Sequence, residues 1–280
     1  MIISKTIDSL KSALQQWRSQ GLSVGLVPTM GHLHMGHISL VKSAQLQCDK
    51  VVVSLFVNPL QFNETSDYTS YPETLSEDQE KLAGIETDLL FLPDKQLMYP
   101  DGTPWTSKIV VPGHSEELEG AYRPGHFDGV ATVVCKLLNM VQPQVAFFGE
   151  KDFQQLMLVR KMVTDLNMSV EIESVATQRE EDGLAMSSRN SRLSVAQRSR
   201  AADLYKTLQE VGQQLTSPTS ISDIENRAMD RLRSRGFEPE YISVRHCSDL
   251  QPATDQSEKW LVLAAAKLGD VRLIDNLVLD

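Results

Sequence analysis

The sequence predicts an α/β fold, with a Rossmann-like parallel sheet in an N-terminal domain and a smaller α+β domain at the C-terminal end. Between residue 22 and about residue 176, short β-branched runs alternate with longer segments of helical period, which is typical of βαβ units. Beyond residue 177, long amphipathic segments come first and strand-like runs follow. Hydrophobic residues make up 41% of the chain and charged residues 23%, as in ordinary globular proteins. We therefore place the two domains at residues 1–177 and 178–280.

The predicted strands of the first domain are short apolar runs. In chain order they are Leu22 to Val27, Val51 to Val57, Asp88 to Leu92, Val145 to Phe148 and Val170 to Ala176. The first two are continuously apolar, as expected for strands that are covered on both faces. Three intervening segments carry an apolar stripe at helical spacing, and these crossover helices are Gly36 to Gln47, Gly129 to Val141 and Phe153 to Leu166.

The remaining segments are less regular. The long interval from Pro93 to Asp128 is rich in proline and glycine, so it cannot form one regular element. The second domain is predicted to contain two helices followed by three strands. These are the helices near Val195 to Leu215 and Ile221 to Arg235, and the strands Tyr241 to Arg245, Trp260 to Ala266 and Val271 to Leu279.

Composition excludes several classes of function. The formal net charge of −10 argues against a broad nucleic-acid interface, because such an interface needs clustered lysine and arginine. The apolar run Val51 to Val57 is far shorter than a membrane span, and no signal sequence precedes it, so we expect a cytoplasmic protein without membrane contact. Cys48, Cys135 and Cys247 are widely spaced, which predicts neither disulfides nor a cysteine zinc site.

A histidine-containing loop follows the first predicted strand of the N-terminal domain. It reads Val27-Pro28-Thr29-Met30-Gly31-His32-Leu33-His34-Met35-Gly36-His37, and the next helix begins at about Gly36. Open α/β sheets bind ligands at this edge, and a helix N-terminus favours phosphate. Two imidazoles one turn apart could donate to a phosphate under attack. Spacing alone leaves open two other interpretations, polar helix-end residues or half of a metal site.

Four further segments carry polar groups suited to binding a phosphate, a carboxylate or a metal ion. Gln61 closes the second predicted strand, and its amide offers both donor and acceptor. Lys151 can place a point charge on phosphates, while Asp152 would otherwise be a plain helix N-cap. The run Met186-Ser187-Ser188-Arg189 supplies hydroxyls and a guanidinium, although its composition also suits a linker. Glu77 and Asp78 could bind magnesium or could simply favour a helix N-terminus.

Several motifs resemble those of a known family. The strand followed by Pro-Thr-Met-Gly and His34-x-Gly36-His37 resembles the HIGH signature of the nucleotidyltransferase superfamily. Three more segments, together with the first, resemble the pantothenate synthetases, also called pantoate–β-alanine ligases. These segments are Phe56 to Phe62, Phe147 to Leu156 and Arg179 to Asn190. The resemblance continues to Leu273-Ile274-Asp275-Asn276 and so covers essentially the whole chain.

The resemblance implies an AMP-forming ligase that condenses pantoate with β-alanine through a bound pantoyl adenylate. It implies ATP and Mg²⁺ as ligands, and a homodimer. The residues that it assigns to catalysis are His34, His37, Lys151 and Arg189. Those assigned to ATP are Met30, Gly31, His32, Leu33, His34, Met35, Gly36, His37, Gly149, Glu150, Lys151, Asp152, Gln178, Met186, Ser187, Ser188 and Arg189. Pantoate and β-alanine are assigned to Pro28, Thr29, Asn58, Gln61 and Gln155, and the metal to Asp78.

Two positions depart from the family pattern. Gln178 stands where the family usually has Val or Ile beside the adenine, and Met35 replaces a frequent Glu. Neither change removes a group that the chemistry needs. Two rival interpretations are an enzyme with the same loop that transfers AMP to a phosphate or aminoacylates tRNA, and a non-catalytic nucleotide sensor. The acidic balance disfavours tRNA, and the combination of His34, His37, Lys151 and Arg189 disfavours a sensor.

Overall fold

The computed structural model describes residues 1–63, 65–72, 74–113, 115–253 and 259–279. It divides the chain into two compact units. The first unit comprises Met1–Glu150 and Gln155–Ala176, and the second comprises Lys151–Gln154 and Thr177–Asp280. The four residues Lys151–Gln154 thus group with the second unit, although they lie between two segments of the first.

A six-stranded parallel sheet forms the centre of the first unit, which confirms the predicted α/β class. Its strands are β1 (Ile2–Ser4), β2 (Val24–Thr29), β3 (Lys50–Leu55), β4 (Leu89–Phe91), β5 (Val145–Gly149) and β6 (Glu171–Val175). The spatial order is β1-β4-β3-β2-β5-β6, with all described pairs parallel. In register, Thr29 lies beside Leu55, so the segments that follow β2 and β3 emerge together at the carboxyl edge.

Helices cover this sheet and bury its apolar side chains. The helices in this part of the chain are α1 (Ile7–Ser19), α2 (Met35–Gln47), α3 (Thr65–Thr69), α4 (Leu75–Gly84), α5 (Lys95–Met98), α6 (Glu119–Tyr122), α7 (His126–Val141) and α8 (Phe153–Asp165). Helix α1 buries Leu10, Leu14 and Trp17, which recur at one-turn spacing on a single face. Neither β1 nor α1 was predicted from the sequence. Strand β1 has only three residues, too few to show a period.

Before α7 begins at His126, the described residues from residue 93 onward form only short elements, as the composition of this interval predicted. They are α5, a 3₁₀ turn at Thr103–Trp105 and α6. Helix α7 begins at His126, three residues before the predicted Gly129, because Gly125 adopts a left-handed conformation and ends the preceding turn. This earlier start places His126 in the first turn of the helix.

The second unit contains a three-stranded antiparallel sheet with helices. Its elements are α9 (Val195–Ala201), α10 (Asp203–Gln214), α11 (Ile221–Ser234), β7 (Glu238–His246), β8 (Trp260–Leu268) and β9 (Val271–Leu279). The single helix predicted from Val195 to Leu215 is therefore two helices. Ala202 lies between them and keeps dihedral angles close to helical (φ −64°, ψ −15°). The apolar residues of the two helices therefore follow one continuous helical period in the sequence. Among the described residues, no helix combines the length and apolar character needed to cross a membrane.

Candidate active site

The loop between β2 and α2 has a backbone shape that few residues can adopt. Gly31 has φ +86° and His32 has φ +50°, both in the left-handed region. A side chain at Gly31 would meet Leu55 Cδ2 at 3.1 Å and Asp78 Oδ2 at 3.2 Å. Glycine is therefore required there by both conformation and space. The turn points the backbone N–H groups of His32 and Leu33 in one direction, toward α4.

The carboxylate of Asp78 occupies the position to which those N–H groups point. Oδ2 accepts from the His32 nitrogen at 2.8 Å, and Oδ1 accepts from the Leu33 nitrogen at 2.7 Å. The Thr74 hydroxyl adds a third bond at 3.2 Å, and Asp78 is 1% exposed. Consecutive N–H groups in such a turn form an anion-binding concavity. A side chain of the protein itself fills it here, which favours an anchoring role for Asp78 over the metal-binding role expected from the sequence.

His34 and His37 form the N-terminal capping box of α2. The Nδ1 atom of His34 accepts from the Gly36 nitrogen at 3.1 Å, and Nδ1 of His37 accepts from the His34 nitrogen at 3.3 Å. The ring centroids are 4.1 Å apart. Because Nδ1 is an acceptor in both neutral rings, the proton is on Nε2 in each. The histidines thus serve as helix caps and present two Nε2–H donors.

The turn after β3 carries Gln61 within a buried amide network. Asn58 donates from Nδ2 to Gln61 Oε1 at 3.1 Å and to the Gly129 carbonyl at 3.0 Å. Its Oδ1 accepts from the Tyr99 hydroxyl at 2.7 Å and from the Leu60 nitrogen at 3.2 Å. With 1% exposure and these four partners, Asn58 orients Gln61 more readily than it could bind a substrate. Burial raises the pKa of the Tyr99 hydroxyl, which keeps it a donor.

Two basic residues near the start of α7 hold the backbone of Gln61. His126 Nδ1 donates to the Gln61 carbonyl at 2.7 Å, and Arg123 donates to the same oxygen at 3.2 Å. His126 Nε2 and Arg123 are 3.2 Å apart, so the neutral imidazole accepts from the guanidinium. Gly129 permits the close approach, since a side chain there would meet the Leu60 carbonyl oxygen at 2.3 Å. Sequence reasoning missed Tyr99, Arg123 and His126.

The other predicted residues of the first unit lie on the same sheet edge or next to it. Thr29 is buried and its hydroxyl donates to the Ser54 carbonyl at 2.9 Å, whereas Pro28 is half-buried. The side chain of Gln61 contacts the Met30 sulfur, which joins the histidine loop to the Gln61 turn. Glu150 follows β5 and accepts from the Ser174 hydroxyl at 3.0 Å. Gln155 is half-buried in the first turn of α8.

In the second unit, Lys151 is held through its backbone. The side-chain amide of Asn276 donates to the Lys151 carbonyl at 2.8 Å. The Lys151 ammonium lies 3.8 Å from the Asp152 carboxylate, and Asp152 is about half exposed. Lys151 and the neighbouring Asp275 belong to the same compact unit. In the sequence, Asp275 and Asn276 stood out only as part of a family-like segment, without a role for either.

The segment after β6 is stabilised mainly by Arg179. Its guanidinium binds Asp275 through two contacts at 2.7 and 2.9 Å, and it lies 3.5 Å from the centre of the Tyr205 ring. Burial raises the pKa of the Asp275 carboxyl, and the Arg179 guanidinium opposes that rise. The Gln178 carbonyl accepts from the Met186 nitrogen at 2.9 Å, which closes the segment into a loop.

The predicted ATP-binding residues Ser187, Ser188 and Arg189 lie just beyond this loop. Ser187 caps a 3₁₀ turn over Ser188–Arg192, and its hydroxyl accepts from the Arg189 nitrogen at 3.3 Å. Ser188 is buried, whereas Met186 and Arg189 are half-buried. Ser187 is thus an N-cap in addition to any contact with a ligand.

Comparison with known proteins identifies the family. A family model described as pantoate-beta-alanine ligase matches residues 2–278. The chain belongs to the pantoate–β-alanine ligases. A relative named pantothenate synthetase in Idiomarina loihiensis is 53% identical over 264 residues, which cover 94% of each chain. Another of that name in Shewanella loihica is 49% identical, with 99% of this chain and 98% of the relative covered.

Solved structures of pantoate–β-alanine ligases share the whole fold. A pantothenate synthetase from Thermus thermophilus has a TM-score of 0.91 at 42% identity, with 99% of both chains covered. A pantoate-beta-alanine ligase from Francisella tularensis, solved as a complex with beta-gamma ATP and beta-alanine, has a TM-score of 0.82 at 37% identity. That comparison covers 99% of this chain and 97% of the Francisella chain. The family expected from the motifs is confirmed, as is its two-part α/β architecture.

Proposed function

We propose that this chain condenses pantoate with β-alanine to give pantothenate, using ATP and releasing AMP and pyrophosphate. The observation that carries the proposal is the pair of histidines at the start of α2. Their Nδ1 atoms accept backbone N–H groups, so both rings direct an Nε2–H donor to the same end of the helix. Two fixed donors suit a phosphate whose negative charge increases during reaction. The Francisella ligase, solved with an ATP analogue and β-alanine, supports these substrates by family membership.

In the first step, a carboxylate oxygen of pantoate attacks the α-phosphorus of ATP. The bond from that phosphorus to the bridging oxygen breaks, and pyrophosphate leaves with the electron pair. His34 and His37 donate to the oxygens of the α-phosphate as their charge increases. Each well-aimed donor of this kind contributes about 3 to 4 kcal/mol to transition-state stabilisation. The product is a pantoyl adenylate that stays bound.

In the second step, the neutral amine of β-alanine attacks the acyl carbon of the adenylate. The bond from the acyl carbon to the AMP oxygen breaks, AMP leaves, and the amine nitrogen loses a proton. Burial raises the pKa of the Cys48 and Cys135 thiols, so neither thiol is an activated nucleophile, and the proposal includes no acyl-enzyme. The adenylate is therefore the activated species in this proposal.

The remaining predicted residues are proposed to bind either the two substrates pantoate and β-alanine or the nucleotide ATP. Gln61, with Gln155, Pro28 and Thr29, is proposed to bind pantoate and then β-alanine. Its orientation by Asn58 supports this role. The proposed ATP contacts outside the histidine pair are the backbone and side chains of Met30, Gly31, His32, Leu33, Met35, Gly36, Gly149, Glu150, Lys151, Asp152, Gln178, Met186, Ser187, Ser188 and Arg189.

A magnesium ion that accompanies ATP would supply charge compensation at the phosphates. The protein groups expected to hold it do not fit well. Both oxygens of Asp78 are bound by backbone N–H groups, and the described residues contain no cluster of three potential ligands. Magnesium commonly binds through phosphates and water with few protein ligands. We therefore assign no step to a protein-bound magnesium ion.

The proposal is tested by isotope exchange. Given ATP, Mg²⁺ and pantoate without β-alanine, the protein should exchange labelled pyrophosphate into ATP. Addition of β-alanine should then release AMP and pantothenate in equal amounts. Exchange that requires β-alanine, or ADP in place of AMP, would contradict the adenylate mechanism. The same proposal includes a homodimer in the cytoplasm, for which sedimentation at assay concentration should give twice the 31.3 kDa chain mass.

A further inference from the structure

A buried polar network in the second unit connects Lys151 to strand β9. Asn276 is 5% exposed, and its side-chain amide donates to the Lys151 carbonyl at 2.8 Å, across 125 residues of sequence. Its own backbone carbonyl accepts from Arg179 at 3.2 Å. Asp275, 4% exposed, accepts the two Arg179 bonds and the Asn276 backbone N–H at 2.8 Å. Two adjacent residues of one strand thus bind both Lys151 and Arg179.

The network also determines the path of the segment that leads to Arg189. Arg179 donates to the Gly183 carbonyl at 3.1 Å and packs against Tyr205. A β-bridge joins Arg179 to Ala185. Gly183 has φ +96°, and a side chain there would meet the Tyr205 ring at 3.0 Å. Arg179 thus holds the backbone between residues 179 and 185 at both Gly183 and Ala185.

Stability alone gives a poor account of this arrangement. A buried ion pair usually contributes no more than apolar side chains of the same volume would, but it requires one specific geometry. The neighbouring positions of β9 and β8 are apolar and buried, including Leu273 and Ala264. The two polar residues of this part of β9 are the ones that bind the other segments: Asp275 binds Arg179, and Asn276 binds Lys151. Satisfied buried networks of this kind fix a unique conformation.

We propose that Asn276 is a positioning residue for Lys151, acting through the hydrogen bond from its side-chain amide to the Lys151 carbonyl. The inference rests on the proposed role of Lys151 at the ATP phosphates. The Lys151 ammonium is a point charge on a flexible stem, so its reach depends on where the backbone is held. Loss of the amide donor removes this bond from the carbonyl and lets the backbone shift. A displacement of about 1 Å can reduce a rate by about 100-fold.

The test is a double-mutant cycle with Lys151→Ala and Asn276→Ala, measured as the rate of pyrophosphate exchange. Asn276→Ala should reduce kcat by about tenfold or more in the wild-type background. In the Lys151→Ala background the same substitution should change the rate less than about twofold, because no ammonium is left to position. Equal reductions in both backgrounds would overturn the proposal.

Destabilisation is separated from positioning by a matched control on the same strand. Val271→Ala removes buried volume at the first position of β9, and it should lower the melting temperature while leaving exchange near the wild-type rate. If Asn276→Ala does not fold, Asn276→Ser serves in its place, with the same expected non-additivity. Wild-type exchange by Lys151→Ala would refute both the proposed role of Lys151 and this inference. A defective Lys151→Ala with a wild-type Asn276→Ala would refute the inference alone.

Discussion

The Nδ1 atom of His37 lies 3.3 Å from the backbone nitrogen of His34 and accepts its N–H. The side chain of His37 therefore has two functions that mutation can separate. It completes the capping box of α2, and in the proposed mechanism it donates from Nε2–H to the α-phosphate. Glutamine at this third helical position can accept the same N–H, because Gln is a common partner in capping boxes.

We predict that His37→Gln retains stability but loses most of the adenylation rate. The cap acceptor remains, but the amide N–H groups of glutamine do not replace the ring Nε2–H at the same place, so pyrophosphate exchange should fall about 100- to 1,000-fold. His37→Ala should lose the same activity and also about 0.5 to 1.5 kcal/mol of unfolding free energy, because the bond from the His34 N–H is lost as well. Urea unfolding measures the stability of both variants, and pyrophosphate exchange measures their adenylation rate. A His37→Ala enzyme within about threefold of wild-type turnover would remove His37 from the proposed mechanism.

A second prediction concerns Asp78. In Asp78→Asn, the amide NH₂ replaces one carboxylate oxygen and faces a backbone N–H, so one charge-assisted bond is lost and two donors oppose each other. The unfolding free energy should fall by about 3 kcal/mol, and pyrophosphate exchange should fall as the histidine loop loosens. If Asp78 anchors the loop, excess Mg²⁺ will not restore the rate and the apparent affinity for Mg²⁺ will be unchanged. Glu77→Gln, at an exposed neighbour, is the control. Rescue by Mg²⁺ would instead support the metal role.

A third prediction concerns Arg189. Arg189→Ala should raise KM for ATP about tenfold or more, since a guanidinium bond to phosphate is worth about 1.5 to 3 kcal/mol. KM for pantoate should change less than about twofold, because the proposed contact is to the triphosphate alone. Steady-state kinetics with each substrate varied will show the difference. Arg192→Ala removes a similar charge from the exposed end of the same 3₁₀ turn and should leave both constants near wild type. A defect confined to pantoate would exclude the ATP role.

A fourth prediction concerns His126, which donates to the Gln61 carbonyl. His126→Ala leaves Arg123 as the donor to that carbonyl. The loss of one hydrogen bond that orients Gln61 should weaken binding by about 1 kcal/mol and so raise KM for pantoate and β-alanine several-fold. KM for ATP should stay near wild type. His126→Asn retains a donor at nearly the position of Nδ1 and should recover part of the loss. If alanine and asparagine variants are equally impaired, or if KM for ATP rises with the others, His126 does not act through Gln61.

Local chemistry explains why much of the fold was predictable. Strands β2 and β3 are runs of apolar and β-branched residues, and such runs indicate buried parallel strands wherever they lie in the fold. Up to His126, where α7 begins, the described part of the interval 93–128 forms no long element, in agreement with its prolines and glycines. The break at Ala202 escaped prediction, because both helices share one amphipathic pattern. A change in hydrogen bonding without a change in polarity leaves no mark on the sequence.

The candidate site was predictable only where a residue's own chemistry reveals its use. Imidazoles, a lysine and an arginine next to turns indicate phosphate chemistry. By contrast, Asp78 looks the same in sequence whether it binds a metal or a backbone loop. The bonds to His32 and Leu33, 46 and 45 residues away, distinguish the two. A carboxylate's role depends on which donors the fold brings within about 3 Å.

The sequence by itself determined the family, the α/β class with its two-part organisation, the main strands and crossover helices from residue 22 onward, and the residues with reactive groups. The tertiary structure alone decided which other residues hold those reactive residues in place. His126 reaches Gln61 across 65 residues, and Asn276 reaches Lys151 across 125. The physical reason is that periodicity and local propensity act over a few residues, whereas a hydrogen bond depends on distance in space. Which donors and acceptors meet is fixed only when the sheet and helices have packed.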